Sequence, residues 1–257
     1  MDDILSAQQA GVLAERAAPN PLLVFDFDGT LAPIVGDPQQ AAMRRLTCAL
    51  FERLSFHYEC AVLSGRRLDE IEKIMAGLSR VRLVGNHGME WPDASVKTAR
   101  FAELTRAWLA DLVRPLAEIP GVVVENKSLS LSLHYRLAPD PARALDAILR
   151  LVTGLPDARV EPGKRVVNVL PADAPDKRAA LEMLLAKSGR STAIFVGDDS
   201  TDERVFAGAA PDRVLSIRVG RDETSCAPFY LRAQADVDEL ISRLLRISRE
   251  RNVPGGG

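Results

Sequence analysis

The sequence predicts an α/β protein, with a parallel-sheet core interrupted by an inserted α+β block. Two observations carry that expectation. Short apolar runs such as Leu22-Leu23-Val24-Phe25 and Cys60-Ala61-Val62-Leu63 alternate with helical spacings, as strands buried on both faces require. Midway the rhythm changes to paired strands with their own turn signals, and then it returns.

Met1 to Ala18 is Ala-rich and reads as a short helix or a loose arm, ended by Pro19-Asn20-Pro21. Leu22 to Phe25 is a first buried strand. Helical spacing follows from Gln39 to Leu54, at Ala42, Leu46, Leu50 and Leu54. Cys60 to Leu63 is a second strand, Leu68 to Met75 a second helix and Val81 to Val84 a third strand. That order predicts parallel pairing through right-handed crossovers. Ala99 to Leu116 then reads as a helix carrying Trp108. Val122 to Glu125 and Leu129 to Tyr135 read as strands joined by a hairpin turn at Asn126-Lys127. The second alternates apolar and polar residues, which predicts one open face. Pro141 to Leu151 is helical, and Ala158 to Leu170 holds two short strands around Pro162-Gly163. The parallel rhythm resumes with a helix from Lys177 to Lys187, a strand from Thr192 to Val196 and a helix from Thr201 to Gly208. A strand from Val214 to Ile217 and a helix from Val237 to Ile247 complete it, and Pro254 to Gly257 reads as a disordered end. The expected division is a core of residues 1–90 and 166–257 around an inserted domain of residues 91–165.

Composition sets outer limits. The 257 residues are 47% hydrophobic and 26% charged, ordinary for a globular protein with a real core. A net charge of -2 argues against a protein built to hold nucleic acid. Cys48, Cys60 and Cys226 are scattered without metal or disulfide spacing, so free thiols in a reducing compartment are expected. The start, Met1-Asp2-Asp3-Ile4, lacks the basic and apolar regions of a signal peptide. No apolar stretch approaches the roughly 20 residues needed to span a bilayer. The expectation is a cytoplasmic protein with no membrane and no nucleic-acid partner.

The strongest chemical signal is Asp26-Phe27-Asp28-Gly29-Thr30, directly after an apolar strand. Ligands bind at the carboxyl ends of strands in open parallel sheets. Two carboxylates two residues apart on a strand point the same way. Near a metal such a pair can divide its work, one ionised as nucleophile and ligand, the other carrying a proton. A carboxylate that attacks phosphate needs a divalent cation, a hydroxyl and a fixed positive charge around it. Ser64-Gly65-Arg66 follows the second strand and offers a hydroxyl and a guanidinium. Lys177 opens a helix after Pro175-Asp176. Gly197-Asp198-Asp199-Ser200-Thr201-Asp202 follows another strand and offers oxygen ligands to a hard cation. Each has a plainer reading: Ser64 as a helix cap, Lys177 as a solvated charge, the acids as a helix start. Their arrival in this order, each at a strand end or helix start, is far more specific than any one alone.

Asp26-x-Asp28-x-Thr30, then Ser64, Lys177 and Gly197-Asp198-Asp199 with Asp202, resemble the four motifs of the haloacid dehalogenase superfamily. The resemblance implies a Rossmann-like sheet, Mg²⁺ and an aspartyl-phosphate intermediate. Asp26 would be nucleophile and Asp28 acid/base, with Thr30, Ser64 and Lys177 completing the catalytic set. Metal ligands would be Asp26, the Asp28 carbonyl and Asp198, supported by Asp199 and Asp202.

A narrower resemblance covers nearly the whole chain. Leu63-Ser64-Gly65-Arg66, Gly85-Asn86-His87-Gly88, Glu125-Asn126-Lys127, His134-Tyr135-Arg136 and Glu161-Pro162-Gly163-Lys164 are similar to motifs of the trehalose-6-phosphate phosphatases. In that family the residues matching Glu125, Lys127 and Lys164 hold the sugar. Arg66, Asn86, His87 and Asn168 join them here as expected substrate-binding residues. Without the resemblance, Glu125 and Lys127 read as a charged hairpin tip, His87 as a structural histidine, and His134 as facing water. The chain departs from the family at Asn168, where Glu is usual, and at Arg178, where Gly is usual. The implied substrate is a small sugar phosphate, with trehalose 6-phosphate first and sucrose or glucosylglycerol phosphate behind it. A mutase and a non-catalytic sugar-phosphate sensor are the remaining readings, and a trehalose-6-phosphate synthase is the implied functional partner.

Overall fold

The computed structural model describes residues 1–93 and 98–252. The expected disorder at Pro254 to Gly257 lies outside the described residues. In chain order the elements begin with β1 (Asp2–Asp3), α1 (Ala10–Ala17), β2 (Leu22–Phe25) and α2 (Arg45–Ser55). They continue with β3 (Cys60–Leu63), α3 (Leu68–Ile74), β4 (Val81–Val84), α4 (Ala99–Ala117), β5 (Val123–Asn126) and β6 (Leu131–His134). Next come α5 (Pro141–Val152), β7 (Ala158–Gly163), β8 (Val166–Pro171), α6 (Lys177–Ser188) and β9 (Ala193–Gly197). The last are α7 (Glu203–Gly208), β10 (Val214–Val219), β11 (Phe229–Leu231) and α8 (Val237–Asn252).

Seven strands form one sheet in the order β1-β11-β10-β9-β2-β3-β4, every pair parallel. Alternate residues of β2 explain its unbroken apolar run. Leu23 and Phe25 pack with Phe51 and Leu54 of α2 and Leu240 and Leu244 of α8. Leu22 and Val24 pack on the other face with Leu181 and Leu184 of α6 and Phe206 of α7. Both faces of β2 are therefore dry, and its polar groups appear only past its end.

The second sheet is antiparallel, in the order β5-β6-β8-β7. Its inner face sets Leu131, Leu133, Val167 and Val169 against Trp108 and Leu112 of α4 and Ile148 of α5. Asp140 caps α5 by accepting from the Arg143 N–H at 3.1 Å. The opposite face carries Ser132, His134 and Asn168.

Several expectations need correction. β8 pairs with β6 and β7, so the boundary expected between residues 165 and 166 falls inside the antiparallel sheet, which ends at Pro171. The hairpin turn spans Lys127 to Ser130 rather than Asn126-Lys127, with Ser128 in the left-handed region at φ 68°. The polar face of β6 is not open to water: Ser132 is buried. α2 starts at Arg45 rather than Gln39, and α7 at Glu203 rather than Thr201. The N-terminal arm opens with a strand, β1, on the sheet edge. Cys48, Cys60 and Cys226 are free thiols. No helix among the described residues is long and apolar enough to cross a membrane.

Candidate active site

The chain leaves β2 through Asp26 to Thr30. The Asp26 N–H donates to the Val196 carbonyl of β9 at 2.8 Å, which holds Asp26 at the carboxyl edge of the sheet. Gly29 has φ 88°, and any Cβ there would overlap the Asp198 carboxylate. Glycine is what lets the two acidic loops meet. Lys177 is not a solvated charge: it is 3% exposed, and its ammonium donates to Asp26 Oδ1 at 2.6 Å and Asp202 Oδ1 at 2.7 Å. Asp202 Oδ2 accepts the N–H groups of Asp198 and Asp199, each at 2.9 Å. Asp202 thus spends one oxygen on Lys177 and the other on shaping the loop.

Carboxylate oxygens of Asp26, Asp198 and Asp202 lie within 4.8 Å of one another, all buried. Burial raises the Asp26 carboxyl well above the usual range, against the pull of Lys177. Burial also lifts Asp198 to about 6, opposed by Lys164. For Lys177, burial favours the neutral amine, but Asp202 and Asp26 outweigh it and hold the group above its ordinary value. When ionised, three buried carboxylates outnumber the two ammonium groups paired with them, Lys177 and Lys164. An all-oxygen set of this kind fits a hard divalent cation.

Above these groups lies a cleft of about 150 Å³ between the two sheets, walled by Asp26, Asp28, Lys177 and Asp198 below and by Glu125, Ser132 and Asn168 above. Arg66 pairs with Asp28 through two bonds, Nε to Oδ2 at 2.7 Å and Nη2 to Oδ1 at 2.6 Å. His87 is buried in the wall with neither ring nitrogen hydrogen-bonded, and burial together with Lys127 and Lys177 holds it well below the ordinary imidazole range. Glu125 Oε2 lies 2.8 Å from His134 Nε2. Such a site can hold an anion against Lys177 and Arg66 while presenting a carboxylate to it.

The family profile described as trehalose-phosphatase matches residues 24–231, most of the chain. The chain belongs to the trehalose-phosphatase family. It is 32% identical over 242 residues to the trehalose-phosphate phosphatase of Mycobacterium marinum, across 88% of this chain and 62% of that protein. It is 33% identical over 267 residues to the trehalose-phosphate phosphatase of Mycobacterium bovis, across 97% of this chain and 68% of that one. The chain therefore spans about two thirds of the length of these relatives. The C-terminal domain of Candida albicans trehalose-6-phosphate phosphatase shares the fold, with a TM-score of 0.72 and 23% identity across 92% of this chain and 96% of that one.

Against the trehalose-phosphatase pattern, the structure brings Asp26, Asp28, Arg66, His87, Glu125, Lys127, Lys164, Asn168, Lys177, Asp198 and Asp199 to one cleft. Thr30 and Ser64 are fully buried behind its wall. Thr30 Oγ1 points to Asp198 Oδ1 at 3.5 Å, and Ser64 Oγ accepts the Arg66 N–H at 3.1 Å, a turn-capping use. Lys164 reaches across the cleft to pair with Asp198. Asn86 is corrected outright. It is fully buried away from the cleft, and its carboxamide is spent on Lys127, Glu90 and Ser130. Arg178 packs against Gly208, away from the cleft. Sequence reasoning left out Arg136, which lines the cleft and donates to the Val35 carbonyl at 2.7 Å. Its place in His134-Tyr135-Arg136 was the available signal.

Proposed function

We propose that this chain hydrolyses trehalose 6-phosphate to trehalose and phosphate, with Asp26 as nucleophile and Mg²⁺ as cofactor. Family membership supports the substrate. The chemistry rests on one observation: a buried Asp26, 2.6 Å from the Lys177 ammonium, shares a cleft with Asp28. In this reading an Asp26 oxygen attacks phosphorus, and the bond from phosphorus to the sugar oxygen breaks. Asp28 gives its proton to the departing oxygen. It then takes a proton from the water that attacks the aspartyl-phosphate, and phosphate leaves as the Asp26–phosphorus bond breaks. Mg²⁺ held by Asp26, Asp198 and the Asp28 carbonyl supplies charge neutralisation between carboxylate and phosphate. Asp199 and Asp202 support that loop. Arg66 occupies both Asp28 oxygens, so Asp28 acts once the guanidinium turns to the incoming phosphate. Glu125, Lys127 and Lys164 face the sugar, and His87 offers its unpaired nitrogens to the substrate. A cytoplasmic trehalose-6-phosphate synthase would supply the substrate and is the proposed functional partner.

Asn168 favours a second reading, a phosphatase of another sugar phosphate. Its Oδ1 already accepts the Ser132 hydroxyl at 2.7 Å, which leaves its amide donors for a ligand. The deciding experiment measures phosphate release from trehalose 6-phosphate, sucrose 6-phosphate and glucosylglycerol phosphate, with and without Mg²⁺. Fastest release from trehalose 6-phosphate, dependent on Mg²⁺, is expected. A faster rival overturns the substrate, and no release from any points to a sensor.

A further inference from the structure

Asn86 stands in the tight loop that joins Gly85 to Glu90, where two backbone bonds between those residues close the turn at 2.9 and 3.1 Å. It takes a left-handed conformation at φ 51°, which asparagine tolerates better than most side chains. Its backbone N–H donates to the Arg66 carbonyl at 2.6 Å, and the next N–H, of His87, donates to the Ser64 carbonyl at 2.9 Å. The loop is thereby tied to Ser64-Gly65-Arg66, the segment beneath the cleft.

The side chain of Asn86 faces the other way, into the antiparallel lobe. Nδ2 donates to the Lys127 carbonyl at 2.9 Å, and Oδ1 accepts the Ser130 hydroxyl at 2.5 Å. One carboxamide thus grips both ends of the turn that carries Lys127. Its remaining donor goes to Glu90 Oε1 at 3.2 Å, while Glu90 Oε2 accepts the Leu68 N–H at 2.5 Å. The circuit closes through Lys127, whose ammonium returns to the Gly65 carbonyl at 2.9 Å. Beside this polar ring, Met89 packs with Leu129 of the same turn and with Phe101 and Leu170 of the second lobe. Both N–H donors of the Asn86 carboxamide are used within the protein, and its oxygen is bonded to Ser130.

We propose that Asn86 is a positioning residue that sets Lys127 over the Ser64–Arg66 loop, so that sugar recognition in one lobe is held in register with phosphate binding in the other. This rests on the reading of Lys127 as a substrate contact. A residue that acts only through Lys127 must lose its effect when Lys127 is gone, which a double-mutant cycle measures. Steady-state kinetics on trehalose 6-phosphate with saturating Mg²⁺ are compared for Asn86→Ala, Lys127→Ala and the double variant, with Ser130→Ala beside them. Asn86→Ala is expected to raise KM about tenfold with kcat falling less than about threefold. The double variant should match Lys127→Ala within about twofold, and Ser130→Ala, which removes one bond from the same grip, should raise KM about threefold. Should Asn86→Ala fail to fold, Ser130→Ala alone and in the Lys127→Ala background runs the same cycle. Additive effects in the double variant, or a raised KM for Lys127→Ala with none for Asn86→Ala and Ser130→Ala, overturn the positioning role alone. An unchanged KM for Lys127→Ala overturns the reading of the lobe and the positioning role with it.

Discussion

The centre of the parallel sheet carries apolar packing on both faces, so its chemistry sits where strands end; the antiparallel sheet carries apolar packing on one face, so its polar residues stand on the other, against the cleft. Asp26, Ser64 and Asp198 all follow parallel strands. Ser132, His134 and Asn168 sit within antiparallel ones, at alternate positions. The two arrangements produce different electrostatics. Asp26 and Asp198 are crowded together, and burial pushes their carboxyls up. Glu125 is only partly buried, and the His134 hydrogen bond and Lys127 outweigh that burial and hold the carboxyl below its ordinary value. One region stores charge that a cation can relieve. The other has already balanced its charges with partners of its own.

The sharpest way to break this comparison is Asp26→Asn. If the strand-end carboxylates do the chemistry, turnover should fall by at least about 10⁴-fold, because an amide is a poor nucleophile and a weaker metal ligand. Unchanged circular dichroism with near-normal phosphate release would refute it.

A pH series tests the electrostatic contrast. Asp198 binds its proton more tightly folded, at about 6, than at its ordinary value of 3.8. Its contribution to stability is therefore full below 3.8 and is lost as pH rises through 6. Glu125 runs the other way: its stabilisation is present above 4.5 and fades as pH falls below it. A cation at Asp198 relieves the first effect and leaves the second alone. Thermal melts of metal-stripped protein should show Mg²⁺ raising Tm by about 5 °C or more at pH 7.5, and by much less at pH 4.5. Equal shifts at both pH values would remove Asp198 from the cation site.

The smallest expected effect belongs to the second lobe. Asn168→Glu adds a charged acceptor beside Ser132 and should lower KM for trehalose 6-phosphate by up to about tenfold, with kcat little changed. Improvement for sucrose 6-phosphate alone would shift the substrate reading, and no response from either would take residue 168 out of the sugar site.

Much of the parallel region was readable along the chain. Four consecutive apolar residues before Asp26-Phe27-Asp28 announce a strand dry on both faces with its carboxylates at the end. Local capping made α6 readable too, since Asp176 accepts from the Ala179 N–H at 2.9 Å, one position before Lys177. β1 was not readable, because a two-residue strand of Asp2-Asp3 carries no apolar pattern and exists through its pairing with β11. β8 misled for the opposite reason: Val166 to Leu170 has the composition of a core strand, and its neighbours β6 and β7 alone decide its sheet.

The α/β class, the order of the acidic, hydroxyl and ammonium motifs, and the family they belong to are legible along the chain. These follow from local periodicity and from residues adjacent in the chain. Which side chains keep an unpaired oxygen or nitrogen is visible only once the chain is folded. Asn86 and His87 are neighbours in one motif, yet Asn86 spends its carboxamide across the lobes while both His87 nitrogens remain unpaired in the cleft wall. Hydrogen-bond satisfaction depends on partners brought in from about 40 residues away, and no local pattern encodes where those partners come to rest.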